Sequence, residues 1–261
     1  MNDTKESQLK RLFYFIYSWL VIIPVLIVVT VVVCSSIILV SAFGYPDLAG
    51  RLFAIPWARI NLATMLSGIT VTGLEKAKKG QPYIVVANHQ SLLDIYAVYG
   101  YLGLDIKWVM KKELRKVPFL GKACEMMGHI IVDRSDTKAA LKSINEAQTR
   151  ILKGNSVIFF PEGTRSLDGK LLPFKKGAFR LAKDLELPIL PVAIQGARHI
   201  LPSQTMRFTP GHIYMEVLDP ISKEEVKQSD VNSLSARTRS VLEAALEQRA
   251  GDTGSQYSVY Q

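Results

Sequence analysis

No charged residue occurs between Arg11 and Asp47, where the chain reads LFYFIYSWLVIIPVLIVVTVVVCSSIILVSAFGYP. This run constrains the fold more than any other feature. A helix surrounded by water needs a polar face, and a stretch this long and apolar has none, so it predicts a membrane-anchoring segment. Lys5, Lys10 and Arg11 resemble the basic start of a signal peptide. The apolar run greatly exceeds the roughly 7–15 residues of such a peptide's core, so retention is expected. A straight helix from Leu12 to Pro46 would outrun a hydrocarbon core of about 30 Å, and Pro24 offers a place to kink or break it. Two geometries follow: a single span entered by Phe13, Tyr14, Tyr17 and Trp19, or a membrane-dipping helical pair. Basic residues stand on both sides, with Arg51 and Arg59 beyond the run, which favours both ends on the cytoplasmic face. Residues 51–69 read as an interfacial segment with Trp57, Arg51 and Arg59 near headgroups, or alternatively as an ordinary core helix.

From about Val71 short β-rich runs alternate with helical ones. Strands are expected at Tyr83–Ala87, Ile106–Met110, Ile130–Val132, Val157–Phe160, Ile189–Ile194 and Ile213–Val217. Helices are expected at Ser91–Tyr101, Val117–Met127, Thr137–Leu152 and Gly177–Leu185, with a last one after Asp230 carrying Leu234, Val241, Leu242 and Leu246 on one face. The alternation predicts an α/β domain with a mostly parallel or mixed sheet flanked by helices. Residues 1–70 form the anchoring and interfacial region, 71–250 the α/β domain and 251–261 a flexible polar tail. Lys and Arg number 32 against 23 Asp and Glu, a net charge of +9, which points to an anionic partner such as nucleic acid, an anionic membrane or a phosphorylated substrate. The two cysteines, Cys34 and Cys124, form neither a disulfide framework nor a metal-ligand spacing.

The sequence VANHQSLLD places Asn88 and His89 where an apolar strand stops, with Asp94 five residues after the histidine. On one unbroken helix the two side chains would point about 140° apart. If instead a loop precedes a helix starting near Ser91, Asp94 lies in its first turn and folds back onto the imidazole. It would then fix the tautomer and leave the other ring nitrogen as a general base. No G-x-S-x-G elbow supplies an enzyme nucleophile, and no second His or Cys stands at the spacing of a catalytic zinc site. A base that activates a substrate hydroxyl remains. A second strand ends in FFPEGTRS, where Pro161, Gly163 and Thr164 make a tight turn with exposed N–H groups and Arg165 offers a planar fork suited to phosphate. Glu162 can hold that arginine or accept a substrate hydroxyl. Lys175 and Lys176 follow near a helix N-terminus. Lys111 follows one strand and Arg134 ends another, so each can face the same crevice.

Together Asn88-His-Gln-Ser-Leu-Leu-Asp94, Gly128-His-Ile-Ile-Val-Asp-Arg134, Phe160-Pro-Glu-Gly-Thr-Arg-Ser166 and Leu190-Pro-Val192 resemble the four ordered blocks of the glycerolipid acyltransferase family. The likeness covers about Val71 to Val217 and is nearest to the family's bacterial 1-acyl-sn-glycerol-3-phosphate acyltransferases. It implies the family's α/β fold, His89 as base, Asp94 as its orienting partner, and Glu162 with Arg165 in acceptor binding. By the same likeness Lys111 resembles an additional phosphate-binding lysine, while His129 occupies a variable position and receives no role. The implied reaction moves an acyl group from acyl-CoA or acyl carrier protein to the sn-2 hydroxyl of lysophosphatidate. Backbone donors near the tip of the first strand would hold the developing oxyanion, and neither cofactor nor metal is needed. The implied partners are the donor, the lysophosphatidic acid acceptor and an anionic membrane, with no nucleic acid. The implied place is the bacterial inner membrane, with the site on the cytoplasmic face. Two alternatives stand beside this reading: another lysolipid as acceptor, or a non-catalytic basic protein bound to a membrane surface.

Overall fold

The computed structural model describes residues 2–133, 136, 143, 144, 146, 151 and 154–253. Helix α1 (Asn2–Tyr17) runs through a π-helical turn, Ser18–Ile22, into α2 (Ile23–Ala42). Pro24 lies in the first turn of α2. Its ring cannot donate and crowds the carbonyl four residues back, and the preceding turn widens by one residue instead of breaking. Gln8–Ala42 is thus one helical run of 35 residues, long and apolar enough to cross a membrane. At 1.5 Å per residue it measures about 50 Å. Gly44, at φ +91, ends it. Short α3 (Pro46–Ala49), a second π-helical turn and α4 (Ile55–Thr64) carry the chain back along it.

The sheet domain contains β1 (Ser67–Thr72), β2 (Ile84–Ala87), α5 (Leu93–Tyr101), β3 (Ile106–Lys111), α6 (Leu120–Met126), β4 (Ile130–Val132) and β5 (Ser156–Phe159). It continues with α7 (Gly177–Leu185), β6 (Ile189–Gln195), α8 (Ala197–Ile200), β7 (Gly211–Val217), α9 (Lys223–Gln228) and α10 (Val231–Thr253). The strand order is β1-β7-β6-β2-β5-β3-β4. β6, β2, β5, β3 and β4 are mutually parallel, β7 runs antiparallel to β6, and β1 is parallel to β7. The expected mixed α/β sheet is therefore present, with β1 an addition on its edge. β2 and β5 are buried at every residue, as parallel strands covered on both faces must be. One core lies under α4 and α5 and the other under α7, α9 and α10. The expected helix Thr137–Leu152 lies mostly outside the described residues, within which Ile144 and Ile151 are helical and buried. α10 takes in the first three residues of the expected tail, and 254–261 lie outside the described residues.

The long helix does not stand apart from this domain. Ile22 joins the main core, and Cys34 and Ile37 are buried against Ala123 and Met127 on and just after α6. Its other side leaves Leu20, Ile27, Val28, Val32 and Leu39 exposed. α4 departs from the expected interfacial role. Ala58 and Leu62 are core, and Trp57 stands edge-on to Tyr96 while its indole N–H donates to Thr30 Oγ1 at 2.9 Å. Arg59 donates to the Gly100 carbonyl at 2.9 Å, and Arg51 pairs with Asp105 at 3.2 Å. The indole that would anchor at headgroups is thus spent inside the protein.

Candidate active site

Because β2, β3, β5 and β6 are parallel, their C-terminal ends meet at one edge, the usual place for a site in such a sheet. Asn88, wholly buried, carries the β2–β6 ladder one residue further. Its Nδ2 donates to the Ile194 carbonyl at 2.7 Å and its Oδ1 accepts from the Ile194 N–H at 2.8 Å. The chain then turns into α5, whose first turn holds Asp94. Asp94 Oδ2 accepts from His89 Nδ1 at 2.8 Å and from the N–H groups of Gln90 and Ser91 at 2.7 and 2.8 Å. A carboxylate only accepts, so Nδ1 carries a proton, and in the neutral imidazole Nε2 keeps the lone pair. Asp94 is fully buried and His89 is 14% exposed, enough for Nε2 to meet a substrate. The imidazole stacks on Phe160, ring centres 4.0 Å apart.

The loop after β5 holds the histidine's backbone. Glu162 Oε1 accepts the His89 N–H at 2.8 Å, and the Ser166 N–H donates to the His89 carbonyl at 2.8 Å. Glu162 Oε2 accepts from the Leu172 N–H at 2.9 Å. Burial raises this carboxyl's pKa, and the Leu172 and His89 N–H donors oppose the rise. Glu162 is therefore a strut beneath His89. Among the described residues the partners of Glu162 are two backbone donors and not Arg165, because β2 and β5 are neighbours and bring the two loops together. Gly163 sits at φ +74, where a Cβ would meet the Lys175 side chain at 2.8 Å. The left-handed backbone of the turn favours glycine there, whereas the Lys175 side chain could move aside.

Thr164 is exposed and Arg165 half-buried, and Lys111 is exposed at the end of β3. None of the three side chains has a hydrogen-bond or ion-pair partner among the described residues. The backbone donors expected at the tip of β2 are taken: His89 N–H by Glu162, Gln90 and Ser91 N–H by Asp94. The N–H groups of Thr164 and Arg165 donate to no acceptor among the described residues, so the open donors lie on the β5 loop instead. Arg134 lies outside the described residues. Among the described residues, no group of three His, Cys, Asp or Glu side chains stands at metal-binding separation.

Several residues that complete the site carried no expectation from the sequence. Phe160 stacks on the base, and Gln90 Nε2 donates to the Gly169 carbonyl at 3.0 Å, tying the two loops together again. A buried-strand end followed by Asn was the one available signal for Asn88, since an amide can mimic the next backbone pair. His129 is buried against Tyr99 and the Trp108 N–H, away from the reacting edge.

An acyltransferase family profile matches residues 68–195. An uncharacterised acyltransferase of Schizosaccharomyces pombe is 36% identical over 206 residues, which cover 78% of this chain and 74% of that protein. The chain belongs to the acyltransferase family. Within the family, the 1-acyl-sn-glycerol-3-phosphate acyltransferase of Limnanthes douglasii is 35% identical over 207 residues, covering 74% of this chain and 73% of the plant protein. The sheep 1-acyl-sn-glycerol-3-phosphate acyltransferase alpha is 37% identical over 172 residues, 66% of this chain. The matched region spans 60% of the length of the sheep and bovine relatives. Among solved structures, the 1-acyl-sn-glycerophosphate acyltransferase of Thermotoga maritima superposes with a TM-score of 0.78 at 28% identity. The match covers 93% of this acyltransferase and 97% of that chain.

Proposed function

We propose that this acyltransferase moves a fatty acyl group from an acyl thioester, acyl-CoA or acyl carrier protein, to the sn-2 hydroxyl of 1-acyl-sn-glycerol 3-phosphate, forming phosphatidate. The His89–Asp94 bond of 2.8 Å carries this reading, because it occupies Nδ1 and leaves Nε2 as the ring nitrogen available to a substrate. Nε2 takes the hydroxyl proton as the oxygen attacks the thioester carbon, and Asp94 stabilises the imidazolium. The C–S bond then breaks, and the departing thiolate takes the proton back from Nε2. No covalent acyl-enzyme is needed, since a thiolate leaves readily. The N–H groups of Thr164 and Arg165 are the donors we assign to the developing oxyanion or to the acceptor phosphate. Arg165 and Lys111, neither with a partner among the described residues, are assigned to that phosphate, joined by Gly163 and, by the resemblance alone, Arg134.

We also place the enzyme on a membrane by the exposed side of Gln8–Ala42. Its other side is packed on α6, so crossing the bilayer fully would carry part of the sheet domain with it. Of the two geometries, the dipping one fits that packing, with the site on the cytoplasmic face of an inner membrane where the thioester is made. The functional reading is tested by supplying the purified full-length protein with labelled acyl-CoA and acyl carrier protein and several acceptors. We expect acylated product with 1-acyl-sn-glycerol 3-phosphate and little with lysophosphatidylcholine. Equal use of both would remove the acceptor assignment, and no product from either donor would remove the reaction.

A further inference from the structure

After β3 the chain reads Lys111-Lys-Glu-Leu-Arg-Lys-Val-Pro-Phe-Leu120 before α6 begins. Phe119 sits at φ +61 and ψ −50, and the Leu120 N–H donates to the Pro118 carbonyl at 2.6 Å, closing a three-residue γ-turn. That conformation is strained for a residue with a Cβ. The strain secures no burial: Val117 and Phe119 remain 40% and 48% exposed. Nor can the loop relax inward. Gly121 lies so close to the Arg115 carbonyl that a Cβ there would stand 2.1 Å from its oxygen, so the turn is folded hard against the start of α6. Lys111, Lys112, Arg115, Lys116 and Lys122 are all exposed around this apolar tip. Glu125 pairs with Arg115, Asp133 pairs with Lys112 and Glu113 is exposed between them, so five cations against these three carboxylates leave the collar positive. Leu120, beside the tip, packs into the same cluster as Cys34 and Ile37 of α2, so the tip stands next to the long helix. The loops after β2 and β5 and the loop leading into β7 expose Leu92, Leu167 and Met206 at the same edge of the sheet.

We propose that the Val117–Phe119 turn is a second bilayer contact, which sets its two apolar side chains into the interface of an anionic phospholipid membrane while the surrounding cations meet the headgroups. The catalytic edge is thereby held toward the leaflet that contains the acceptor. The proposal rests on the reading that the exposed side of Gln8–Ala42 enters a bilayer. An amphipathic surface of this kind gains from apolar insertion and from anionic lipid together. A second copy of the chain is a poorer occupant, because a two-fold contact at this tip would bring two positive collars together.

The test uses the full-length protein in vesicles of phosphatidylcholine with and without phosphatidylglycerol. Phe119→Cys carries an environment-sensitive fluorophore, with Leu74→Cys at the opposite edge of the sheet as reference; Cys34 and Cys124 are buried and shielded from the label. At position 119 the probe is expected to be quenched by bilayer nitroxide and protected from aqueous iodide, most strongly with phosphatidylglycerol, while position 74 shows the reverse. In a second arm, Val117→Asp/Phe119→Asp should raise KM for a long-chain acceptor presented in vesicles by about tenfold, the scale of one buried apolar side chain. kcat/KM for a short-chain acceptor dissolved in water should be unchanged. Equal iodide access at 119 and 74 would overturn the proposal, as would protection at 119 without lipid accompanied by doubled mass. The fluorescence arm needs no turnover, so a failure of the acyl-transfer reading would be seen separately.

Discussion

Both backbone polar groups of His89 are engaged by the loop after β5, through Glu162 and the Ser166 N–H, while Asp94 holds its ring. The base is thus located by its neighbours on every side except the one a substrate approaches. Arg165 differs, with no partner among the described residues. Arg165→Lys keeps the charge but loses the planar two-point grip. A charged hydrogen bond is worth about 1.5–3 kcal/mol, so KM for the acceptor should rise at least roughly tenfold with donor KM little changed. Separate kinetics for each substrate check this, and equal effects would remove Arg165 from the phosphate site. His129 gives a prediction about stability. Burial, helped by the charge of Lys107, lowers its pKa to about 3. Between pH 3 and its ordinary value near 6.5, the unfolded chain binds a proton that the native state refuses. Stability should therefore fall as pH drops below about 6.5, by up to about 1.4 kcal/mol per pH unit. Urea unfolding at pH 5 and 7 should show a smaller difference for His129→Gln, and an unchanged difference would contradict the burial argument.

At the level of elements, the long α/β alternation was legible because buried parallel strands leave continuous apolar runs and their crossover helices leave a periodic face. β1 was not. SGITVT is short, half exposed and on the sheet's edge, so it lacks both signals. The choice between interfacial segment and core helix for α4 was not legible for a related reason: Trp57 beside arginines looks interfacial until its partner Thr30, 27 residues earlier, is seen. In the site, His89 and Asp94 could be paired from spacing because one turn joins them. Glu162's work could not, because it depends on β2 and β5 being adjacent across 73 residues of chain. The same strut reaches a further element. Arg239 of α10 donates to the carbonyls of Leu172 and Leu171 at 2.6 and 3.0 Å, beside the N–H that Glu162 accepts. Arg239→Ala should cost about 1–3 kcal/mol of stability and lower kcat more than it changes KM, with Arg239→Lys partly restoring both. A loss of stability with kcat intact would confine Arg239 to packing.

For the whole molecule, the long apolar helix and the sheet domain pack on one another, so on the proposed membrane reading removing residues 1–46 should do more than release the protein from lipid. It strips cover from Ala123 and Met127 and takes Thr30 from Trp57. The truncated chain should unfold at lower temperature and sediment with membranes only at low salt, since the remaining attraction is charge and is screened. The intact chain should stay bound at high salt. If salt strips both forms equally, the apolar run is not embedded. The central claim is that His89 Nε2 accepts a proton from the acceptor hydroxyl. Its most direct test is the turnover of His89→Ala with an acyl thioester and 1-acyl-sn-glycerol 3-phosphate, read beside its thermal unfolding. A fall of about 10²–10⁴-fold, with the melting temperature close to that of the parent protein, is the predicted result. Near-normal turnover by a folded His89→Ala protein would contradict it.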